Sequence, residues 1–542
     1  MTQENYYING IYHELRNEHF QTEQSYTEAV KQNPDSLPAR FSLAIFLAKM
    51  GKYEQARKEL EIVLKQDNSI SDGHYYMGVV ALNLNNPVLA QKEFSVIENI
   101  PKYASISPYM QGLLCTKRKD YKKALEYFEK SISVDHKATA SLEAKAIAHR
   151  KLGNKSHAFE AGRILLENDS INYIMFSEKY FLTRKNSDKS ALKHLLRDDP
   201  ELYVELAIKY AALNLYTEAI DVLSMYMQDW QISGSYPLVY YYAGYYYGKL
   251  SEYNKSLNMY YKASKCSTDY VFPNRLESFN VLKDALNKTQ SDANAYYYLG
   301  NLYFSKVWLE SAVDNWQQSI KLNPSFVLAY RNIALAYWKV NKDTKTAIKY
   351  YELALKCTSK TDFRLYYELD ILYEQCAMTK KRKMLFESVP EQILKTRTDL
   401  IQRQAGFFTD TGKYEEAISL LLNNRFAMPE RVSITKTIYN KAYMNLGKRY
   451  LAKKNYKKAL ECFNDMLKYP KNLGVGRKSI TDDAQAWEMI AQTYRKMKKN
   501  SLAHKAEQMA ARKSDLKGFD WLKIDKSGYI LKNGVMETLF YS

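Results

Sequence analysis

The segment DANAYYYLGNLYFSKVWLESAVDNWQQSIKLNPSF (residues 292–326) runs directly into VLAYRNIALAYWKVNKDTKTAIKYYELALKCTSK (residues 327–360). Set one over the other, the two agree in where their apolar and small residues fall. Tyr296 lies over Tyr330, Leu299 over Ile333, Gly300 over Ala334 and Tyr303 over Tyr337. After one inserted residue, Ala312 lies over Ala347, Trp316 over Tyr351 and Ser319 over Ala354, and Pro324 closes the first copy. A recurrence of about 34 residues with helical spacing inside it predicts one pair of antiparallel helices per copy. Gly300 and Ala312 are small where the two helices of a pair cross, and Tyr303 and Trp316 fill the space beside the crossing. A single pair cannot bury its own apolar face, so neighbouring pairs must stack.

Length and composition agree with such an array. A compact single domain of 542 residues would be large, whereas a stack of pairs has no size limit because each unit touches its neighbours only. Apolar residues make up 46 % of the chain, which excludes wholesale disorder, and only 12 prolines interrupt it. The formal charge is +19, which favours acidic partners. The lysines are scattered over helix faces, as in KYEQARKEL and DYKKALEYF, and form no base-reading helix, so nucleic acid is not an expected partner. Cys115, Cys266, Cys357, Cys376 and Cys462 have no metal-ligand spacing and read as small core residues in a reducing compartment. The start MTQENYYING is polar and no run of about 18 apolar residues occurs, so a soluble cytoplasmic chain without membrane association is expected. Tyrosine is abundant, with 48 copies, and Tyr240, Tyr241, Tyr242, Tyr245, Tyr246 and Tyr247 form a run. These rings replace the Trp, Leu and Phe of the repeat core or form an aromatic surface for sugars or prolines.

In chain order, five copies are expected over 3–36, 37–70, 71–104, 105–138 and 139–172, the first with a polar capping helix. The register falters over 173–200, where a shortened pair is expected to end on Asp198, Asp199 and Pro200. Copies resume at Ala207, Tyr210, Ala219 and Leu223, and again at Tyr240, Ala243, Gly244 and Tyr260. The stretch RLESFNVLKDALNK then predicts a lone helix. After Lys360 the match weakens, recovers at Ala405, Phe408, Gly412 and Ala417, and continues through Leu446, Gly447, Ala459 and Phe463 to a last pair at 484–515. Domain boundaries follow: N-terminal repeats 1–172, central repeats with irregular pairs 173–292, C-terminal repeats 293–517, and a tail 518–542. In that tail Asn533 and Gly534 stand between alternating apolar runs, which predicts a small β-hairpin.

A recurrence of this length and pattern resembles the tetratricopeptide repeat. The resemblance implies an all-α, right-handed superhelical solenoid of about 12–14 helix pairs. The segments PNRLESFNVLKDAL, YYYLGNLYFSKVWLESAVDNWQQSIKLNPSFVLAYRNIALAYWK, LLLNNRF and LGKRYLAKKNYKKALECFNDMLKYPKNLG are similar to the repeat array of a family of large bacterial proteins. In that family an uncharacterised, β-rich, carbohydrate-related module precedes the array. The resemblance covers most of residues 34–478 and none of that module, and so implies a scaffold acting with a separately encoded carbohydrate-related partner.

No constellation of residues points to catalysis. None of the eight histidines forms an HExxH pair; His149 and His157 fall on different helices of one pair without a carboxylate at metal-ligand spacing. Gly474, Val475, Gly476, Arg477, Lys478 and Ser479 have the wrong spacing for a phosphate loop and follow a helix. No enzyme activity, cofactor or metal is expected. What remains is the face lined by the first helix of each pair. Resemblance to peptide-binding tetratricopeptide proteins singles out Asn301 and Asn332, whose amides offer a donor and an acceptor to an extended peptide backbone. Arg331 beside them could engage a carboxylate. Tyr297 stands where the cationic clamp of chaperone-tail binders has a lysine, so that clamp is not reproduced. The expected function is a non-catalytic protein–protein interaction scaffold that takes a peptide segment or partner domain in its concave groove. The alternative is an accessory subunit of a carbohydrate-active system, contacting glycan or an acidic polymer.

Overall fold

The computed structural model describes residues 3–227, 236–357, 362–426, 434–474 and 483–515. Among the described residues the chain is α-helical throughout, with thirty α-helices and no strand. They follow one another as fourteen pairs, with Glu277–Thr289 and Glu391–Thr396 as single helices. The all-α solenoid expected from the recurrence is therefore observed, and the lone helix expected in the middle of the chain is Glu277–Thr289. The expected hairpin at Asn533 and Gly534 lies outside the described residues.

What sets the spacing of the helices is a steric pairing that recurs along the chain. At Gly10, Gly78, Gly112, Gly244, Gly300 and Gly447 a Cβ would fall 2.4–2.6 Å from the ring of Tyr26, Phe94, Phe128, Tyr260, Trp316 and Phe463 respectively. In every case the ring sits sixteen residues after the glycine, on the second helix of the same pair. The missing side chain on one helix is the space into which the aromatic ring of the other is pressed. These rings are buried: Trp316 is 2 % exposed and Tyr260 fully covered. The tyrosine run is core as well, since Tyr240, Tyr241, Tyr242 and Tyr246 are buried.

By internal packing the chain divides into two units, Met1–Ala329 and Tyr330–Ser542. In the first unit the weakened register is a real pair, Tyr173–Thr183 and Asn186–Leu196, with helices of eleven residues each. Pro200 opens the next helix, and the Asp199 side chain caps it by accepting the amide of Glu201 at 2.9 Å. A buried charged network is added here to the apolar packing of Ile174, Met175, Phe181, Leu192 and Leu196. Glu178 is fully buried and receives Arg150 Nε at 2.6 Å and the Tyr210 hydroxyl at 2.8 Å. Arg150 also reaches Glu218 at 3.1 Å, which Lys151 meets at 2.9 Å.

The second unit repeats that device where its own pattern weakens. Asp370, fully buried on Phe363–Gln375, receives Arg382 Nε at 2.7 Å and Arg403 Nε at 2.6 Å. Farther on, Asn472 donates its amide to the carbonyls of Leu421, Leu422 and Asn424 at 2.8–3.0 Å, closing the end of helix Tyr414–Leu422. The amide of Phe426 returns a bond to the Asn472 carbonyl at 2.8 Å. The segments LLLNNRF and KYPKNLG thus form one clasp. Lys436, beside it, donates to the carbonyls of Met466 and Lys468 at 2.7 and 2.5 Å, and burial pushes its ammonium down to about 8.

Candidate functional site

The four residues singled out in the sequence occupy defined positions in the two units. In the first, Asn301 lies on Ala293–Ser305, half-buried, and its Oδ1 accepts the indole N–H of Trp316 at 3.0 Å. Tyr297, on the same helix, is 5 % exposed and packs against Phe326 with ring centroids 4.8 Å apart. In the second unit, Arg331 grips Glu368 with two nitrogens, Nε at 2.9 Å. Asn332 is half-buried. Asn301 and Arg331 thus make contacts within the repeats, and Tyr297 is part of the core.

A different place in the first unit has the features of a site, and only the third dimension brings it together. The array of this unit winds far enough that its second pair, Leu37–Lys49 and Tyr53–Gln66, meets its ninth, Ala293–Ser305 and Leu309–Leu322. The Trp308 indole N–H donates to the Met50 carbonyl at 3.2 Å, and Lys52 Nζ donates to the Val307 carbonyl at 3.0 Å. Lys52 is itself held by Glu23 at 2.6 Å. Phe20 and Phe304 meet with centroids 5.2 Å apart. Val307 is buried in one apolar cluster with Tyr26, Leu43 and Met50 of the early repeats. Its backbone lies at φ +66°, the left-handed turn between the helices of a pair that Asn85, Lys119 and Ser251 also adopt, here with a β-branched side chain in that place.

Beside this seam lies a cleft of about 470 Å³. One wall comes from Lys49, Tyr53, Tyr76 and Asn83, and the other from Glu277, Phe279, Asn280, Lys283, Tyr303 and Trp308. Phe279 packs 4.9 Å from Tyr303 and 6.2 Å from Trp308, centroid to centroid. Lys283 stands over two of these rings, 5.7 Å from the centre of Phe279 and 5.6 Å from that of Tyr303. Burial, with the Glu277 charge adding to it, pushes the Tyr53 hydroxyl up to about 12. Sequence reading missed this site because its walls, Lys49 to Asn83 and Glu277 to Trp308, lie far apart along the chain.

His149 and His157 do meet, with rings stacked at 5.1 Å. His149 is 7 % exposed, and its Nδ1 has no hydrogen-bond partner among the described residues. Burial, followed by the neighbouring His157, lowers its pKa. Among the described residues no group of three or more His, Cys, Asp or Glu side chains could hold a metal ion. No described helix is long and apolar enough to cross a membrane.

Three segments match tetratricopeptide-repeat families: residues 21–79 in one, 109–137 and 441–472 in another. All three fall on helix pairs of the array. A TPR repeat-containing protein of Methanocaldococcus jannaschii is 23 % identical over 335 residues, covering 61 % of this chain. The match spans half the length of that relative. Solved structures with similar helical arrays include the APC/C hetero-tetramer Cut9–Hcn1, 14 % identical over 95 % of this chain and 94 % of that one, with a TM-score of 0.29. A tetratricopeptide repeat protein of Parabacteroides merdae is also 14 % identical, over 53 % of this chain and 98 % of its own, with a TM-score of 0.35.

Proposed function

We propose that this chain is a non-catalytic scaffold that holds a protein partner, as an extended segment or a docked domain, and works in the cytoplasm. The observation that carries the reading is the spread of tetratricopeptide-repeat matches from residue 21 to residue 472 over an array of stacked helix pairs. Such pairs use their apolar residues on one another, and the surface they leave is built for contact rather than for chemistry.

Asn301 and Asn332 remain the proposed backbone-holding amides, each judged on its own helix. The amide of Asn301 is already oriented by Trp316, which fixes its acceptor and costs a bound peptide nothing in side-chain ordering. A carboxylate approaching Arg331 would have to share it with Glu368, so this residue is the weakest of the proposed contacts. In this reading Tyr297, buried against Phe326, backs the helix that carries Asn301.

The test is capture of partners from the native host with the intact chain as bait, compared with Asn301→Asp and Asn332→Ala. The aspartate keeps an acceptor for Trp316 and removes the amide donor. Defined polypeptides retained by the wild type and weakened by either substitution are expected. Retention of glycan instead, with no polypeptide, would overturn the scaffold reading.

A further inference from the structure

We propose that the cleft beside the seam of the first unit is a docking site for an extended acidic peptide segment that carries an aromatic or aliphatic side chain. The inference rests on the scaffold reading and names the partner's chemistry and its place.

Three features point to that occupant. The first is Lys283, which is exposed, stands over Phe279 and Tyr303, and has no ion pair among the described residues. Lys49, across the cleft, is matched by Glu14 at 2.8 Å. A carboxylate entering beside Lys283 would meet an uncompensated ammonium against apolar walls, where the attraction is stronger than in open water. Glu277 also lines the cleft, but it forms no ion pair with Lys283 among the described residues, and its charge acts on the half-buried ammonium of Lys306 as well. The second feature is the floor of Phe279, Tyr303 and Trp308, already packed against one another as tilted rings, which offers apolar area to one large side chain. A volume of about 470 Å³ accommodates such a side chain with the backbone on either side of it. The third is Asn280, exposed and next to Phe279, whose amide offers a donor and an acceptor to a main chain of any sequence.

Because the walls come from both ends of the turn, a bound segment bridges the seam. Binding and closure must then reinforce one another by the same factor.

The experiment uses the full chain and two fluorescein-labelled, C-terminally amidated peptides. One has a phenylalanine flanked by glutamates, and its counterpart has lysines in place of the glutamates. Fluorescence anisotropy is expected to show the acidic peptide bound about tenfold or more tighter than the basic one, with the preference weakened by salt. Lys283→Glu, at an exposed position that leaves the fold intact, should invert the preference. Phe279→Ala should weaken the acidic peptide about tenfold, and Trp308→Phe, which opens the seam without touching the proposed cation, should weaken it less. Equal binding of the two peptides, or no binding of either, overturns the inference. Acidic-peptide binding that survives both Lys283→Glu and Phe279→Ala also overturns it, while leaving the scaffold reading in place, since the peptide is then held elsewhere.

Discussion

Trp308 donates its indole N–H to the main-chain oxygen of Met50 across 258 residues of sequence. Stacked repeats ordinarily contact only their neighbours, so their stability is close to a sum of local terms. This bond, with Lys52 on the Val307 carbonyl, ties two distant pairs into one unit. Val307 itself occupies the left-handed turn between the two helices of its pair, the place taken by Asn85, Lys119 and Ser251 in theirs, and the Lys52 bond is made to the carbonyl of that turn.

Trp308→Phe keeps one aromatic ring and removes the donor with the five-membered ring that carries it. It should lower the unfolding free energy by about 1–2 kcal/mol, the cost of leaving a half-buried carbonyl without its partner. Amide exchange should accelerate together in residues 37–66 and 293–322. Acceleration in one segment alone would mean that the seam does not couple them.

Gly300→Ala places a methyl group 2.5 Å from the Trp316 ring. The expected loss is about 1–3 kcal/mol in denaturant unfolding, as for other overpacked cores. Adding Trp316→Leu should recover part of that loss, so the double variant is less damaged than the sum of the two single ones. Strict additivity would show that the glycine is small for another reason.

The two buried charge networks make a paired prediction. Glu178→Gln leaves Arg150 with Glu218 alone, and Asp370→Asn leaves Arg382 and Arg403 with Glu374 alone; each loses the fully buried carboxylate of its network and should cost about 1–3 kcal/mol by thermal or chemical unfolding. Replacement of exposed Glu160, whose partner is Arg163 on the same helix, should cost less than about 0.5 kcal/mol.

His149 sets a pH dependence. Its folded pKa is lowered, first by burial and then by His157, so the neutral ring is the one that fits the fold. An unfolded histidine titrates near about 6.5; the contribution of His149 is therefore complete above that pH and is lost as the pH falls from there through the lowered folded value. His149→Phe should make the decline of stability below about pH 6.5 shallower. An unchanged slope in urea unfolding across that range would sink the assignment.

The helix pairs were legible because their cause is local. A glycine and an aromatic ring at fixed separation, with apolar residues at helical spacing, announce a crossing without knowledge of anything outside the pair. Even the irregular pair at Tyr173 and the lone helix at Glu277 could be read, since a missing repeat is as visible as a present one. The Asn472 clasp was half legible: both of its segments stood out, but not the bonds between them. The seam was not legible, because it depends on small rotations accumulated over six intervening pairs and a lone helix. For the same reason Asn301 could be placed on its helix from sequence, but not its bond to Trp316.

The seam also has a consequence for biosynthesis. Met50 and Lys52 leave the ribosome long before Val307 and Trp308 exist. At about 5–20 residues per second, roughly 13–50 s pass before their partners are translated. During that interval the early hairpins stand with an unmet carbonyl and an apolar edge uncovered, and a chaperone has its natural opportunity there.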